Sequence, residues 1–182
     1  MKLEELFKQY LLENASIIDD LKSVRELSLP DWYIAAGYVR SIVWDRLHGY
    51  EPNGRHNDID VVYFDRRNTT KEVERQLEQR LIERTGNSKW SVKNQARMHE
   101  KNGLPPFQST EDAIAHWSET VTAIGVRLDD NDTLQIVAPY GLQDLFDMVV
   151  RRSPHFQDRV YYSQRVQKKN WKKCWPMLTI LN

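Results

Sequence analysis

Two aspartates one residue apart, Asp58-Ile59-Asp60, carry the plainest chemistry in this chain of 182 residues. The run Ile59-Asp60-Val61-Val62-Tyr63-Phe64 is strongly β-prone. On a strand, positions two apart share a face, so both carboxylates stand side by side while Ile59 turns into the core. Like charges so placed repel unless something positive bridges them. Mg²⁺ (or Mn²⁺), a hard cation that takes oxygen ligands from a pair of carboxylates and from phosphates, is the natural bridge. An acidic pair at a strand end is more often merely solvated, so the neighbouring segments decide between the two readings.

The first such segment is Ala36-Gly37-Tyr38-Val39-Arg40. Trp32-Tyr33-Ile34-Ala35-Ala36 reads as a short buried strand ending at Gly37, and helical periodicity resumes from Tyr38 to Leu47. Free amides at a helix N-terminus bind phosphate oxygens, and Gly37 has no Cβ to obstruct them. Arg40, one turn in, adds charge; the bland alternative is an ordinary turn with Arg40 exposed. Glycine turn, helix, loop and acidic strand in this order make a phosphate cradle beside a metal site. Lys93, Arg97 and His99 cluster on and after a further strand at Trp90-Ser91-Val92-Lys93-Asn94. There they reach either a triphosphate or the accepting substrate, or are plain surface cations.

The elements that must hold these residues follow from periodicity. Leu3, Leu6, Phe7, Tyr10 and Leu11, then Ile17, Ile18, Leu21, Val24 and Leu27, imply two opening helices. A polar loop spans 48 to 57 and contains His48 and His56, whose spacing is not that of a zinc site. Lys71 to Thr85 is an amphipathic helix with Gly86 as C-cap. The segment to Ser109, holding Pro105-Pro106, is irregular and placed to overlie a site; Ser109 or Thr110 then caps a helix through Trp117. Thr122–Leu128 and Thr133–Val137 form a hairpin around Asp129-Asp130-Asn131-Asp132. Helices follow at Leu142–Arg151 and Val160–Trp171. Trp44, Tyr63, Phe64, Trp117 and Phe146 fall at apolar periodic positions and are read as core.

Composition sets bounds. Charged residues cancel, 26 against 26, so no global field draws nucleic acid, membranes or acidic substrates. The single cysteine, Cys174, excludes an internal disulfide framework and any multi-cysteine zinc site, and suits a reducing compartment. The N-terminus reads as a folded helix, and no stretch is apolar enough to span a bilayer. Cytoplasmic location without membrane association is the expectation. The tail Arg165, Lys168, Lys169, Lys172 and Lys173, interleaved with Trp171 and Trp175, reads as a solvated helix face, with RNA binding the lesser alternative. No Gly-x-Ser-x-Gly elbow supports a hydrolytic triad.

Gly37 with Asp58-Ile59-Asp60 resembles the nucleotidyltransferase superfamily that includes DNA polymerase β, whose pattern is a glycine turn followed by an Asp-x-Asp strand. The stretches Ala36–Arg40 with Val43-Trp44-Asp45, Asn57–Asp65, Val92–His99, Thr122–Leu128, Ala138–Phe146, Lys169-Asn170-Trp171 and Trp175-Pro176 look closer still to a bacterial family of uncharacterised nucleotidyltransferase-like proteins. Tyr38 stands where the wider superfamily has serine, as in the arm that adds CCA to tRNA. The resemblance implies Asp58 and Asp60 as catalytic metal ligands and Gly37, Tyr38, Arg40, Lys93 and Arg97 as the seat of a nucleoside triphosphate. It also implies a third acid on a neighbouring strand as general base. Here that strand offers Asn94, which cannot accept a proton and would leave Asp65, Glu100 or solvent to do so.

The expected fold is α/β (α+β): a small mixed sheet with helices packed on it. The chain, 1–182, reads as one nucleotidyltransferase-like unit, core about 30–137, with a helical extension about 140–182. The expected reaction moves a nucleotidyl group from a nucleoside triphosphate to an unidentified acceptor, whether small molecule, protein or RNA. The alternative is a nucleotide-binding or regulatory module with the same fold and no turnover.

Overall fold

The computed structural model describes residues 2–51 and 58–181; residues 52–57 of the loop before Asp58, His56 and Asn57 among them, lie outside the described residues. Helices α1 (Leu3–Leu12) and α2 (Ala15–Arg25) precede β1 (Tyr33–Ala35), α3 (Gly37–Leu47) and β2 (Ile59–Tyr63). Then come α4 (Lys71–Thr85), β3 (Trp90–Asn94), α5 (Thr110–Ala115), β4 (Gly125–Leu128) and β5 (Leu134–Val137). The chain closes with α6 (Gln143–Phe146), β6 (Val149–Val150), α7 (Arg159–Lys169) and β7 (Thr179–Ile180).

Five strands form one mixed sheet in the order β3-β2-β1-β4-β5. Only the β2–β3 pair is parallel, pairing Asp60 with Ser91 and Tyr63 with Asn94. β1 runs antiparallel to both β2 and β4, with Ala35 opposite Asp60 on one side and Gly125 on the other. The mixed sheet and its helical cover are those expected. Gly125 is required by space: a Cβ there would come within 2.9 Å of Tyr33 Cβ and 3.0 Å of Val137 Cγ1.

Alternation sorts β2 and β3 into two faces. Ile59, Val61, Tyr63, Trp90 and Val92 point to the main core, which runs from Phe7 to Leu178, whereas Val62 joins a smaller cluster with Ala35, Ile114, Ala123 and Val137 on the other side. Helix α3 lies at the heart of the main core: Tyr38 through Asp45 are all buried, Arg40, Ser41 and Asp45 among them, so it is enclosed nearly all round rather than amphipathic. Trp44 is fully buried, meets Trp171 and Trp175 edge-on, and donates its indole N–H to the Leu145 carbonyl at 3.2 Å. These contacts anchor the C-terminal segment, making Trp171 and Trp175 core residues with no face for a base.

Strand β3 is an edge, which would leave its amides unpaired. Helix α4 covers that liability: Glu78 accepts from the Val92 amide and Glu74 from the Asn94 amide, at 2.9 and 2.8 Å.

Two expected elements are corrected. The helix expected over 142–151 ends at Phe146, because Met148 takes a left-handed φ of 56° and Val149–Val150 turns to pair in parallel with Thr179–Ile180. The strand expected from Thr122 begins only at Gly125; Glu119 to Ile124 form turns instead. Among the described residues no helix is long and apolar enough to cross a membrane.

Candidate active site

Asp58 is exposed and stands one residue before β2; Asp60, the second residue of that strand, is half-buried. Burial, and then the neighbouring Asp58 charge, push the Asp60 carboxyl above its ordinary range. A hydrogen bond with Ser91 opposes that rise, as do the charges of Lys169 and Lys93. A carboxylate in this position favours any arrangement that brings a cation to it. The donors are oxygens only, which suits Mg²⁺ or Mn²⁺ rather than a softer metal. Among the described residues no group of three or more His, Cys, Asp and Glu is poised to hold a metal.

Asp60 lies on the floor of a cleft of about 780 Å³. Ala36, at the N-cap of α3, lines the same cleft, so the helix N-terminus and the Asp60 carboxylate share one space. Ala36 takes φ 60° and ψ −133°, a conformation glycine adopts freely and alanine resists. Gly37 behaves differently: a Cβ there would meet nothing closer than Arg40 Nη2 at 3.5 Å. Among the described residues no contact demands glycine at 37.

Arg40 does not reach into the cleft as an open cation. It is 6% exposed, its guanidinium stacked 4.6 Å from both the Trp44 and Trp171 rings. Its Nη1 donates to Thr122 Oγ1 at 3.2 Å, and Thr122 in turn donates to the fully buried Glu119 at 2.9 Å. Glu119 also accepts from Arg165 Nε at 2.7 Å. Burial lowers Arg40 from its ordinary value, with Glu119 and Asp60 opposing. Burial also works against the Arg165 charge, yet Glu119 holds that group above its ordinary value. This chain of charges links α7 to the first turn of α3 directly beneath the cleft. Arg165, in the basic tail, is thus drawn to the site, whereas Lys169 stays exposed and bears on Asp60 only through its charge.

The remaining expected ligands divide. Lys93 lines the cleft, with Nζ 2.6 Å from Glu78 Oε1. Tyr38 turns the other way, donating to Asp20 at 2.6 Å in a second cleft of about 630 Å³ behind α3. Asn94 sits on the opposite face of β3 from Asp60. Its side chain is fully buried, donating to the Asp65 and Asn68 carbonyls at 2.7 and 2.9 Å and accepting from the Asp65 and Ala96 amides. Arg97 belongs to that same far cluster, paired through Nε and Nη2 with both oxygens of Glu74 at 2.9 and 2.6 Å. Of the acids weighed as proton acceptors, Asp65 is held low by its hydrogen bonds with Arg67, and Glu100 is exposed outside the cleft lining. His48 caps α3, bonded to the Trp44 carbonyl and accepting from the Met177 amide.

The sequence reading missed Glu119, Thr122, Ser91 and the opposite wall of the cleft. Glu119 left one trace, a lone acid abutting the apolar run Val121–Val126. Phe107, His116 and His155 left none, being distant in sequence and joined only by the fold. The irregular 95–109 segment does flank the cleft, contributing Gln95, Met98, Lys101, Leu104 and Phe107.

A family model described as nucleotidyltransferase matches residues 22–180. A solved NMR structure described as revealing a CCA-adding enzyme head domain is 33% identical, with a TM-score of 0.87; the match covers 100% of this chain and 96% of that one. A CCA-adding enzyme bound to CTP matches at 16% identity and TM-score 0.61, over 96% of this chain and 43% of the other. The Thermotoga maritima CCA-adding enzyme complexed with tRNA matches at 15% and 0.60, over 96% and 42%. The chain thus spans about two-fifths of those enzymes, and at such identities they share its fold alone. No curated protein matches in sequence.

Proposed function

The chain belongs to the nucleotidyltransferase family, and from that premise we propose that it transfers a nucleotidyl group from a nucleoside triphosphate to an acceptor hydroxyl, releasing pyrophosphate, with Mg²⁺ or Mn²⁺ held by Asp58 and Asp60. One observation carries the reading. Ala36, at the N-cap of α3, and Asp60 open onto the same cleft, and the partly buried Asp60 is set against the Asp58 charge with no third acid grouped with them among the described residues.

The metal, when bound, supplies charge to the triphosphate oxygens and orients the α-phosphate. The chain's own groups do the rest by position and charge. The first amides of α3 face the phosphate oxygens across Gly37, where no side chain intervenes. Lys93 and Lys169 neutralise charge next to Asp60. Glu119 and Arg165, tied through Thr122 to Arg40, fix the first turn of α3 against the sheet. Asn94, which in sequence favours a binding module without turnover, faces away from the pair and bears on neither outcome.

The test is pyrophosphate release from each of the four nucleoside triphosphates with Mg²⁺ or Mn²⁺. Acceptors to offer are small hydroxyl compounds, protein hydroxyls and RNA 3′ ends, beginning with tRNA because the Thermotoga enzyme binds it. Metal-dependent release that disappears in Asp60→Ala supports the reaction. Metal-dependent nucleotide binding with no release for any acceptor class favours the binding module instead.

A further inference from the structure

The wall of the cleft that faces away from the α3 N-terminus is built of stacked rings. Phe107, His116 and His155 come from three separate segments, the 95–109 stretch, the end of α5 and the turn before α7. The Phe107 and His116 centroids are 5.0 Å apart at 34°, and those of His116 and His155 are 5.0 Å apart at 20°. His99 meets Phe107 edge-on at 6.0 Å, and Tyr140 closes the outer end against His155 at 6.2 Å. The stack is graded: Phe107 is 4% exposed, His116 half-buried, His155 exposed. Phe107, His116 and His155 line the same cleft as Asp60.

Hydrogen bonds fix both imidazoles in one tautomer. His116 Nδ1 lies 2.9 Å from the Asp112 carbonyl, which only accepts, so that nitrogen carries the proton. The Tyr140 hydroxyl spends its single proton on the Ala115 carbonyl, so at 3.2 Å it accepts from His155 Nδ1. In the neutral rings Nε2 is then the acceptor, with no partner among the described residues. Packing alone would be met by aliphatic side chains. Flat rings with oriented acceptor nitrogens, ending at an exposed face in the cleft that Ala36 and Asp60 also line, match a flat ligand with polar edges.

We propose that this wall binds a nucleobase, stacked on the His155 end of the ladder with its polar edge within reach of imidazole Nε2. The proposal rests on reading the Asp58–Asp60 cleft as the site of nucleotidyl transfer. The base belongs either to the donor triphosphate or to a nucleoside at the end of the acceptor. Both present the same chemistry to the wall, and stacking on protein rings tolerates any base.

Calorimetric titration separates the cases. The ligands are the four nucleoside triphosphates with Mg²⁺, inorganic tripolyphosphate with Mg²⁺, the four nucleosides, and ribose as their base-free counterpart. The proteins are the wild type, His155→Ala, His155→Phe and the double variant Asp58→Ala, Asp60→Ala. We expect at least one base-bearing ligand to gain about tenfold in affinity over its base-free counterpart. That gain is lost in His155→Ala and kept in His155→Phe, while tripolyphosphate binds all three alike. A gain of triphosphate over tripolyphosphate assigns the base to the donor. A gain seen only with nucleosides, triphosphate and tripolyphosphate binding equally, assigns it to the acceptor. No base-dependent gain in the wild type overturns the proposal, as does a gain that His155→Ala leaves intact. Failure of the carboxylate reading is separate: it appears as tripolyphosphate binding that the double aspartate variant does not weaken.

Discussion

The two faces of the β2–β3 pair each carry a polar cluster, and the clusters are built on opposite terms. On the core side, Asn94, Glu74 and Arg97 satisfy one another: the amide group of Asn94 makes four hydrogen bonds to the backbone, and Glu74 accepts from one amide and from two guanidinium nitrogens. On the cleft side, Asp60 is crowded by a like charge and steadied by Ser91 and by lysines from β3 and α7. The first arrangement is closed and holds the edge strand and the 65–70 turn in place. Among the described residues the second leaves two like charges together, the property expected of groups whose counter-charge comes with a ligand. The family resemblance ranks Asn94 with Asp58 and Asp60; strand alternation puts it with the structural set.

The sharpest way to break this contrast is Glu74→Ala. It strips a buried carboxylate from Arg97 and from the Asn94 amide, and is expected to lower unfolding free energy by about 3–5 kcal/mol in denaturant titrations. Nucleotide affinity of the remaining folded protein should change less than twofold. Asn94→Asp is expected to cost about 2–3 kcal/mol, because an acid there replaces two N–H donors facing the Asp65 and Asn68 carbonyls and adds charge beside Glu74. Were position 94 the missing general base, the same change would instead raise pyrophosphate release. Gly37→Ala should leave the thermal midpoint unmoved, since its Cβ has room, but weaken tripolyphosphate binding about tenfold by obstructing the helix N-terminus. Ala36→Gly should act the other way, raising stability by about 1 kcal/mol by relieving the strained φ and ψ, as read from the same denaturant titrations.

Much of this was legible in the residues. The order of glycine turn, helix and acidic strand, the C-cap at Gly86 and the capped helix at Ser109 follow from local rules, and the structure has each in place. The 142–151 helix was misread because its apolar spacing suits a helix, while its end is set by pairing with Thr179–Ile180, some thirty residues away. Arg40 illustrates the same limit. A cation one turn into a helix can face a phosphate or fill a slot between two tryptophans, and the choice is made by Trp171, far along the chain. The ring ladder and the Glu119 network are joined wholly by such distant contacts, and periodicity has no means of registering them.

Asp60 is proposed to be held for a bound cation and not for the fold. The most direct test is Mg²⁺-dependent nucleoside triphosphate binding by calorimetry on Asp60→Asn, paired with the thermal midpoint of the same variant in metal-free buffer. The account predicts a loss of about a hundredfold or more in affinity, together with a midpoint no lower than wild type, because a crowded, partly buried charge has been removed. Undiminished binding, or a midpoint that falls as sharply as that of Glu74→Ala, would contradict it.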